Sequence, residues 1–223
     1  IKYMHKSIKN LIEINKEIKT KISELNFKNY NPQIIAVSKT FNIDYISYII
    51  NYGHTHFGEN KVQEAIEKWS IIKKLNNSIK LHMIGKLQTN KVKHAIKIFD
   101  FIHSVDNEKL AKKISEEQNK IALKPKIFIQ VNIGNEVQKT GINLKNFLDF
   151  FNYCLSLDLN VIGTMCIPPL GEASTVFFSK MLKLNIKNNL KELSMGMSSD
   201  YLEALKFKAT FLRIGSKIFG QRN

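Results

Sequence analysis

Apolar residues at Ile8, Leu11, Ile12, Ile18, Ile22 and Leu25 recur at three- and four-residue steps among lysines and glutamates, which predicts an amphipathic opening helix. From Gln33 the pattern changes. QIIAVSK is a short, nearly continuous apolar run of the kind that forms strands buried on both faces. Seven more such runs follow: HFG (56–58), LHMIG (81–85), FIHSV (101–105), KIFIQVN (126–132), NVIGTM (160–165), ELSMG (192–196) and TFLRIG (210–215). Helical stretches separate them at Tyr45–Asn51, Lys61–Leu75, Lys91–Phe99, Glu108–Ala122, Leu144–Leu157, Thr175–Leu184 and Tyr201–Phe207. Strands alternating with helices pair in parallel through crossovers, and eight such units predict an α/β fold, a closed TIM-like (β/α)8 barrel. An open doubly wound sheet is the alternative. Only eight residues follow Gly215, so no long helix can succeed the last strand, and the opening helix is expected to cover the gap. Residues 1–223 are read as one domain, with 1–30 as the helix packing on the barrel.

Composition narrows the function classes. The chain has 223 residues, 43% of them apolar, enough for a core that buries about 70% of the unfolded surface. No apolar run approaches the roughly 18 residues of a membrane helix, and the N-terminal IKYMHKSIKN has no apolar signal region. A soluble, cytoplasmic protein without a membrane partner is expected. Cys154 and Cys166 are too few for a disulfide framework and lack zinc-site spacing; both are expected to be structural. With 34 Lys plus Arg against 19 Asp plus Glu, the formal charge is +15, which raises nucleic acid as a partner. Yet all but Arg213 and Arg222 of the basic residues are lysines, spread along the chain and interrupted by Glu59, Glu64, Asp106 and the Glu116–Glu117 pair. No nucleic-acid partner is therefore expected.

In a barrel, residues just beyond the strand C-termini converge on one mouth. Here they are Ser38, Lys39, Glu59, Asn60, Lys86, Ser104, Asp106, Asn132, Met165, Ser198, Ser199, Arg213, Gly215 and Ser216. Lys39 directly ends an apolar strand, where desolvation lowers an ammonium pKa and yields the neutral amine that attacks aldehydes. A lysine that merely snorkels outward is the competing reading. GMSSD (196–200) offers hydroxyls and amides before a helix, suited either to phosphate or to simple capping. RIGSKIFG (213–220) adds a guanidinium, a close-approach glycine and a hydroxyl, and barrel phosphate sites often combine the last two loops. A lysine opposite a phosphate cradle suits an aldehyde-bearing phosphate ligand such as pyridoxal 5′-phosphate (PLP). His54, His56 and His82 raise a zinc site, but no further ligand stands at matching spacing, and no metal is expected.

The motifs AVSKT (36–40), HFGEN with VQE (56–64), HMIGKLQTNK (82–91), FIQVNIGNEVQKTGI (128–142), GTMCIP (163–168), SMGMSSD (194–200) and LRIGSKIFGQR (212–222) together resemble the pyridoxal phosphate homeostasis proteins. Their fold-type III barrel is similar to the N-terminal domain of alanine racemase. The resemblance implies that Lys39 forms a Schiff base with PLP, that Ser198, Gly215 and Ser216 hold the phosphate, that Arg213 faces the pyridine nitrogen, and that Asn60 lines the same mouth. It implies intracellular PLP buffering without robust catalysis, no catalytic residues, and apo PLP-dependent enzymes as candidate recipients; a monomer is expected from the short chain and the missing final helix. Lys86 stands where many members carry proline or another residue, and Ser216 where threonine is frequent. A racemase-like PLP enzyme is the alternative function. That class also uses a C-terminal β domain, for which no room is expected before Asn223.

Overall fold

The structure is a computed structural model that describes residues 4–137 and 140–221. Helix α1 (Lys6–Glu24) is followed by β1 (Gln33–Val37), α2 (Ile43–Asn51), β2 (His56–Glu59), α3 (Val62–Leu75), β3 (Lys80–Met83), α4 (Val92–Ile98), β4 (Phe101–Val105), α5 (Glu108–Ile121) and β5 (Lys126–Asn132). A two-residue β6 (Ile142–Asn143) precedes α6 (Phe147–Ser156), β7 (Asn160–Cys166), α7 (Ser174–Lys187), β8 (Glu192–Met197), α8 (Tyr201–Leu205), β9 (Phe211–Ile214) and α9 (Ser216–Phe219). Asparagines start several helices: the Asn42 and Asn107 side chains accept the amides of Tyr45 and Leu110, satisfying backbone donors that the first turn leaves unpaired. Every pairing is parallel. The order β1-β2-β3-β4-β5-β7-β8-β9 returns to β1 through the register Gln33 to Phe211 and Ile34 to Leu212, so the sheet is a closed eight-stranded barrel. The doubly wound alternative is overturned by the β4–β5 and β1–β9 pairings.

Two short elements depart from the expected order. β6 adds alongside the end of β5, and α9 is a single turn after β9. Gln138, Lys139 and Arg222 of the motifs lie outside the described residues.

The main core lies between strands and helices and contains Trp69, Phe147, Phe178 and many Ile and Leu side chains. α1 covers the barrel beside α2, α8 and α9, burying Leu11, Ile14 and Ile18. Asn10 Nδ2 donates to the Ile218 carbonyl at 2.9 Å, tying the opening helix to the end of the chain. Inside the barrel a smaller cluster joins Ile35, Phe101, Phe128, Met165 and Phe211. His82 stacks on Phe101 with ring centroids 4.2 Å apart, and His103 on Phe128 at 4.1 Å. The barrel interior is therefore partly polar. No helix among the described residues is long and apolar enough to cross a membrane.

Candidate functional site

A cavity of about 570 Å³ opens at the mouth formed by the strand C-termini, within the usual size range of small-molecule sites. Lys39, Asn60, Ser198, Arg213, Gly215 and Ser216 all line it, together with Val37, Ile84, Ile167, Met197, Ser199, Gly220 and Gln221. The six residues that the family resemblance implies at the cofactor are thus brought to one cavity.

Lys39 follows β1 and is half-buried. Behind it lies a buried network. Lys68 Nζ, from α3, donates to the Ser38 carbonyl (2.9 Å), to Glu59 Oε1 (3.0 Å) and to Glu64 Oε1 (2.8 Å). Glu59 Oε1 also accepts from Ser38 Oγ (2.7 Å) and Trp69 Nε1 (2.9 Å). Burial pushes the Glu59 carboxyl above its usual range, against the pull of Lys68. Glu64 Oε1 accepts the Thr40 amide at 2.5 Å, and Thr40 has a φ of +70°, a conformation costly for a β-branched residue unless its surroundings hold it there. Lys39 is thereby fixed between two clamped neighbours.

The opposite wall comes from β8, β9 and the turns after them. Ser198 Oγ accepts the amides of Gly215 and Lys217, each at 3.3 Å, so hydroxyl and backbone donors already cluster where the last two loops meet. A Cβ on Gly215 would stand 3.3 Å from Val37 Cβ, and the glycine lets β9 close against β1 at this point. Gly85 has the same service for Asn60, whose carbonyl would lie 2.5 Å from an added Cβ. Arg213 forms part of the floor and is 5% exposed. Its Nη1 donates to Ser194 Oγ (2.6 Å) and its Nη2 to the Cys166 carbonyl (2.8 Å), both neutral acceptors. Burial lowers its pKa from the arginine range.

Several residues expected at the mouth lie elsewhere. Glu59 alternates away from Asn60 and faces α3, as period-two geometry requires. Met165 packs inside the barrel, and Ser104 is buried. Asp106 accepts the Gly141 amide, and Asn132 bonds the Glu136 backbone. Lys86 is exposed and does not line the cavity, which corrects its expected place there. Ile84, Ile167, Gly220 and Gln221 went unnoticed in the sequence. Each had a signal, since Ile84 sits within the LHMIG run, Ile167 within GTMCIP, and Gly220 and Gln221 within LRIGSKIFGQR.

The histidines also differ from the zinc arrangement considered above. His56 Nδ1 and His82 Nε2 are 2.8 Å apart, and His82 Nδ1 and His103 Nε2 are 2.9 Å apart, so the nitrogens share protons with one another. Among the described residues no group of His, Cys, Asp and Glu side chains has a metal-binding arrangement. Cys154 and Cys166 are free and buried, and burial pushes both thiols up to about 12.

Comparison with known proteins places this geometry. The family described as alanine racemase, N-terminal domain, matches residues 16–223. A pyridoxal phosphate homeostasis protein of Aquifex aeolicus is 36% identical, covering 85% of this chain and 87% of its own. One from Buchnera aphidicola is 38% identical, covering 94% and 97%. The structure of PipY from Synechococcus elongatus with PLP bound superimposes with a TM-score of 0.78 at 32% identity, covering 91% of this chain and all of that one. An alanine racemase from Clostridium difficile shares the fold alone, at 12% identity and a TM-score of 0.69. The chain belongs to the family of barrels built like the alanine racemase N-terminal domain. Within that class it is a member of the pyridoxal phosphate homeostasis proteins, the group its motifs resemble.

Proposed function

We propose that the chain binds PLP in the upper cavity, linked as a Schiff base to Lys39 Nζ, and serves intracellular PLP homeostasis as a carrier or buffer without robust catalysis. The observation that carries this reading is the convergence of Lys39, the Ser198–Gly215–Ser216 cradle and Arg213 on one cavity. These residues fit the cofactor: a clamped amine, hydroxyls and amides for a phosphate, and a buried cation whose hydrogen-bond partners are neutral.

When bound, PLP supplies an aldehyde for the amine and a pyridine ring able to draw electrons from an attached substrate. Lys39 would supply the neutral amine for that aldehyde, one water leaving on condensation. Ser198, Ser216 and the amides after β9 would hold and orient the phosphate through hydrogen bonds. Arg213 keeps its proton, because a guanidinium does not give it up at neutral pH. A permanent cation facing the ring nitrogen would oppose protonation there, and so weaken the electron draw on which carbanion chemistry depends. Binding and release are then the favoured outcome. Apo PLP-dependent enzymes are the proposed recipients, and residues 1–223 the proposed single, monomeric barrel unit, working in the cytoplasm.

The test is the visible spectrum after incubation with PLP, then borohydride reduction and peptide mapping. A pyridoxyl mass on Lys39, absent in Lys39→Ala, is expected. A reduced adduct persisting at full occupancy in that variant would move the link to another lysine. Turnover of alanine enantiomers by the pure protein would replace the carrier by a racemase-like enzyme.

A further inference from the structure

A second cavity, of about 450 Å³, lies at the opposite mouth, where strands begin. Its walls carry Lys73, Lys80, Lys97, Lys124 and Lys126, with His56 among them and Asp100 as the carboxylate. Asp100 is already engaged, since its Oδ2 accepts from Lys73 Nζ at 2.6 Å and from the Leu81 amide at 2.7 Å. Lys124 pairs with Asp158. Lys80 and Lys126 open β3 and β5, flanking His56, and among the described residues neither has a carboxylate in its hydrogen bonds. Lys126 Nζ stands 5.1 Å over the Phe101 ring. This mouth is strongly cationic, and spread-out sequence positions conceal it.

From His56 a hydrogen-bonded column crosses the barrel interior. His56 Nδ1 meets His82 Nε2 (2.8 Å), His82 Nδ1 meets His103 Nε2 (2.9 Å), and His103 Nδ1 meets Ser194 Oγ (2.9 Å), the atom that accepts from Arg213 Nη1. With each ring neutral and carrying one proton, a single assignment satisfies every member. Ser194 accepts from Arg213 and donates its own hydrogen to His103 Nδ1. His103 Nε2–H then donates to His82, His82 Nε2–H donates to His56, and His56 Nε2–H is left for the lower mouth. The column therefore joins the floor of the upper cavity to the wall of the lower one.

We propose that the lower mouth binds a small phosphate-class anion between Lys80, Lys126 and His56, and that the histidine column transmits its presence to Arg213. The binding is independent of the PLP reading; only the value of the coupling to the protein rests on it. An anion accepts from His56 Nε2–H and offsets the two lysines that, with burial, hold His56 below its ordinary pKa against the opposing pull of Asp100. His82, which faces His103, His56, His54 and Lys73, and His103, which faces Arg213, are held lower still by burial and these charges. The added charge thus settles on His56. Uptake of one proton from solvent leaves His56 doubly protonated and reverses all three contacts. His56 Nδ1–H now donates to His82, His82 Nδ1–H to His103, and His103 Nδ1–H to Ser194 Oγ. The serine hydroxyl keeps a hydrogen but loses the acceptor it had in the column. Ser194 then receives two donors, and its bond to Arg213 weakens.

Nitrogen NMR on the intact apo-protein tests this, because a chain with two arginines gives a side-chain spectrum in which Arg213 can be assigned. Inorganic phosphate and glycerol 3-phosphate are titrated separately at constant ionic strength, and the tighter of the two identifies the source. The His56 ring and Arg213 Nε signals are expected to shift with one shared midpoint. Lys80→Ala combined with Lys126→Ala should weaken that midpoint by about tenfold or more, as loss of two charge-assisted contacts implies. Ser198→Ala, in the upper cradle, should leave it in place. In His103→Gln, or in Ser194→Ala should that variant fail to fold, phosphate should still move His56 while Arg213 stays still. Absence of any His56 shift overturns the site. A shift at Arg213 that survives the double lysine variant assigns phosphate to the upper cavity instead, and a saturated His56 with an unmoved Arg213 overturns the coupling.

Discussion

Lys39 has the same side chain as the other lysines of this chain, and its neighbours distinguish it. Ser38 and Thr40 are both held by the Lys68–Glu59–Glu64 network. Breaking one partner of a buried ion pair strands the other charge, at a cost of about 3–5 kcal/mol. Lys68→Met should therefore lower unfolding stability by about 3 kcal/mol in urea titrations, and should also slow adduct formation at Lys39 under conditions where the protein remains folded. Unchanged stability would mean that Glu59 is protonated and needs no cation. The two cysteines make a second prediction at this scale. With thiols pushed up to about 12 and side chains buried, iodoacetamide at pH 8 should label neither in the native protein and both in urea, as read by intact mass. The i,i+4 relation of Glu64 to Lys68 is visible in the sequence. The joining of Lys68 to Glu59 is not, because it depends on α3 lying across β2.

Helices and strands were largely legible because each has a period. α1 and the eight barrel strands follow from apolar spacing, whereas β6 and α9, with two and four residues, are too short to show one. The helix boundaries differ from expectation by a few residues where single 3-10 turns precede α4 and α6. Two substitutions test the elements. Ile14 is fully buried under α1, so Ile14→Ala should cost about 2–5 kcal/mol; a smaller loss in thermal unfolding would show that α1 can detach from the seam. Gly196 has a φ of +93°, and an added Cβ would stand 2.7 Å from Ala204 Cβ. Gly196→Ala should destabilise by about 1–3 kcal/mol, seen as a shift in the urea midpoint, and should displace Ser198 enough to weaken PLP retention in dialysis.

At the scale of the whole molecule, the buried rings make stability depend on pH. His54, His56, His82 and His103 are all lowered by burial, His54 to about 4 against an ordinary 6.5. Between the folded and unfolded values the unfolded chain binds more protons. The stability these rings contribute is complete above about pH 6.5 and is lost as pH falls toward their folded values. Each proton taken up adds a slope of about 1.4 kcal/mol per pH unit. Urea titrations at pH 7, 6 and 5 should show a steepening loss, and a flat profile would mean that the rings titrate alike in both states. The mouth lysine, cradle and arginine were readable because strand ends converge in any closed barrel. The histidine column was not, since His103 lies within an apolar run and its partner Ser194 is 91 residues away; only ring closure sets β4 across from β8.

That separation has a kinetic consequence. The column links β2, β3 and β4 to β8 and β9, so it cannot form until the first and last strands have met. If closure follows the folding transition state, these contacts are absent from it. Substitutions along the column should accordingly leave the folding rate nearly unchanged and accelerate unfolding. The rings act as a latch on a barrel that has already assembled, and they lengthen its lifetime without hastening its birth.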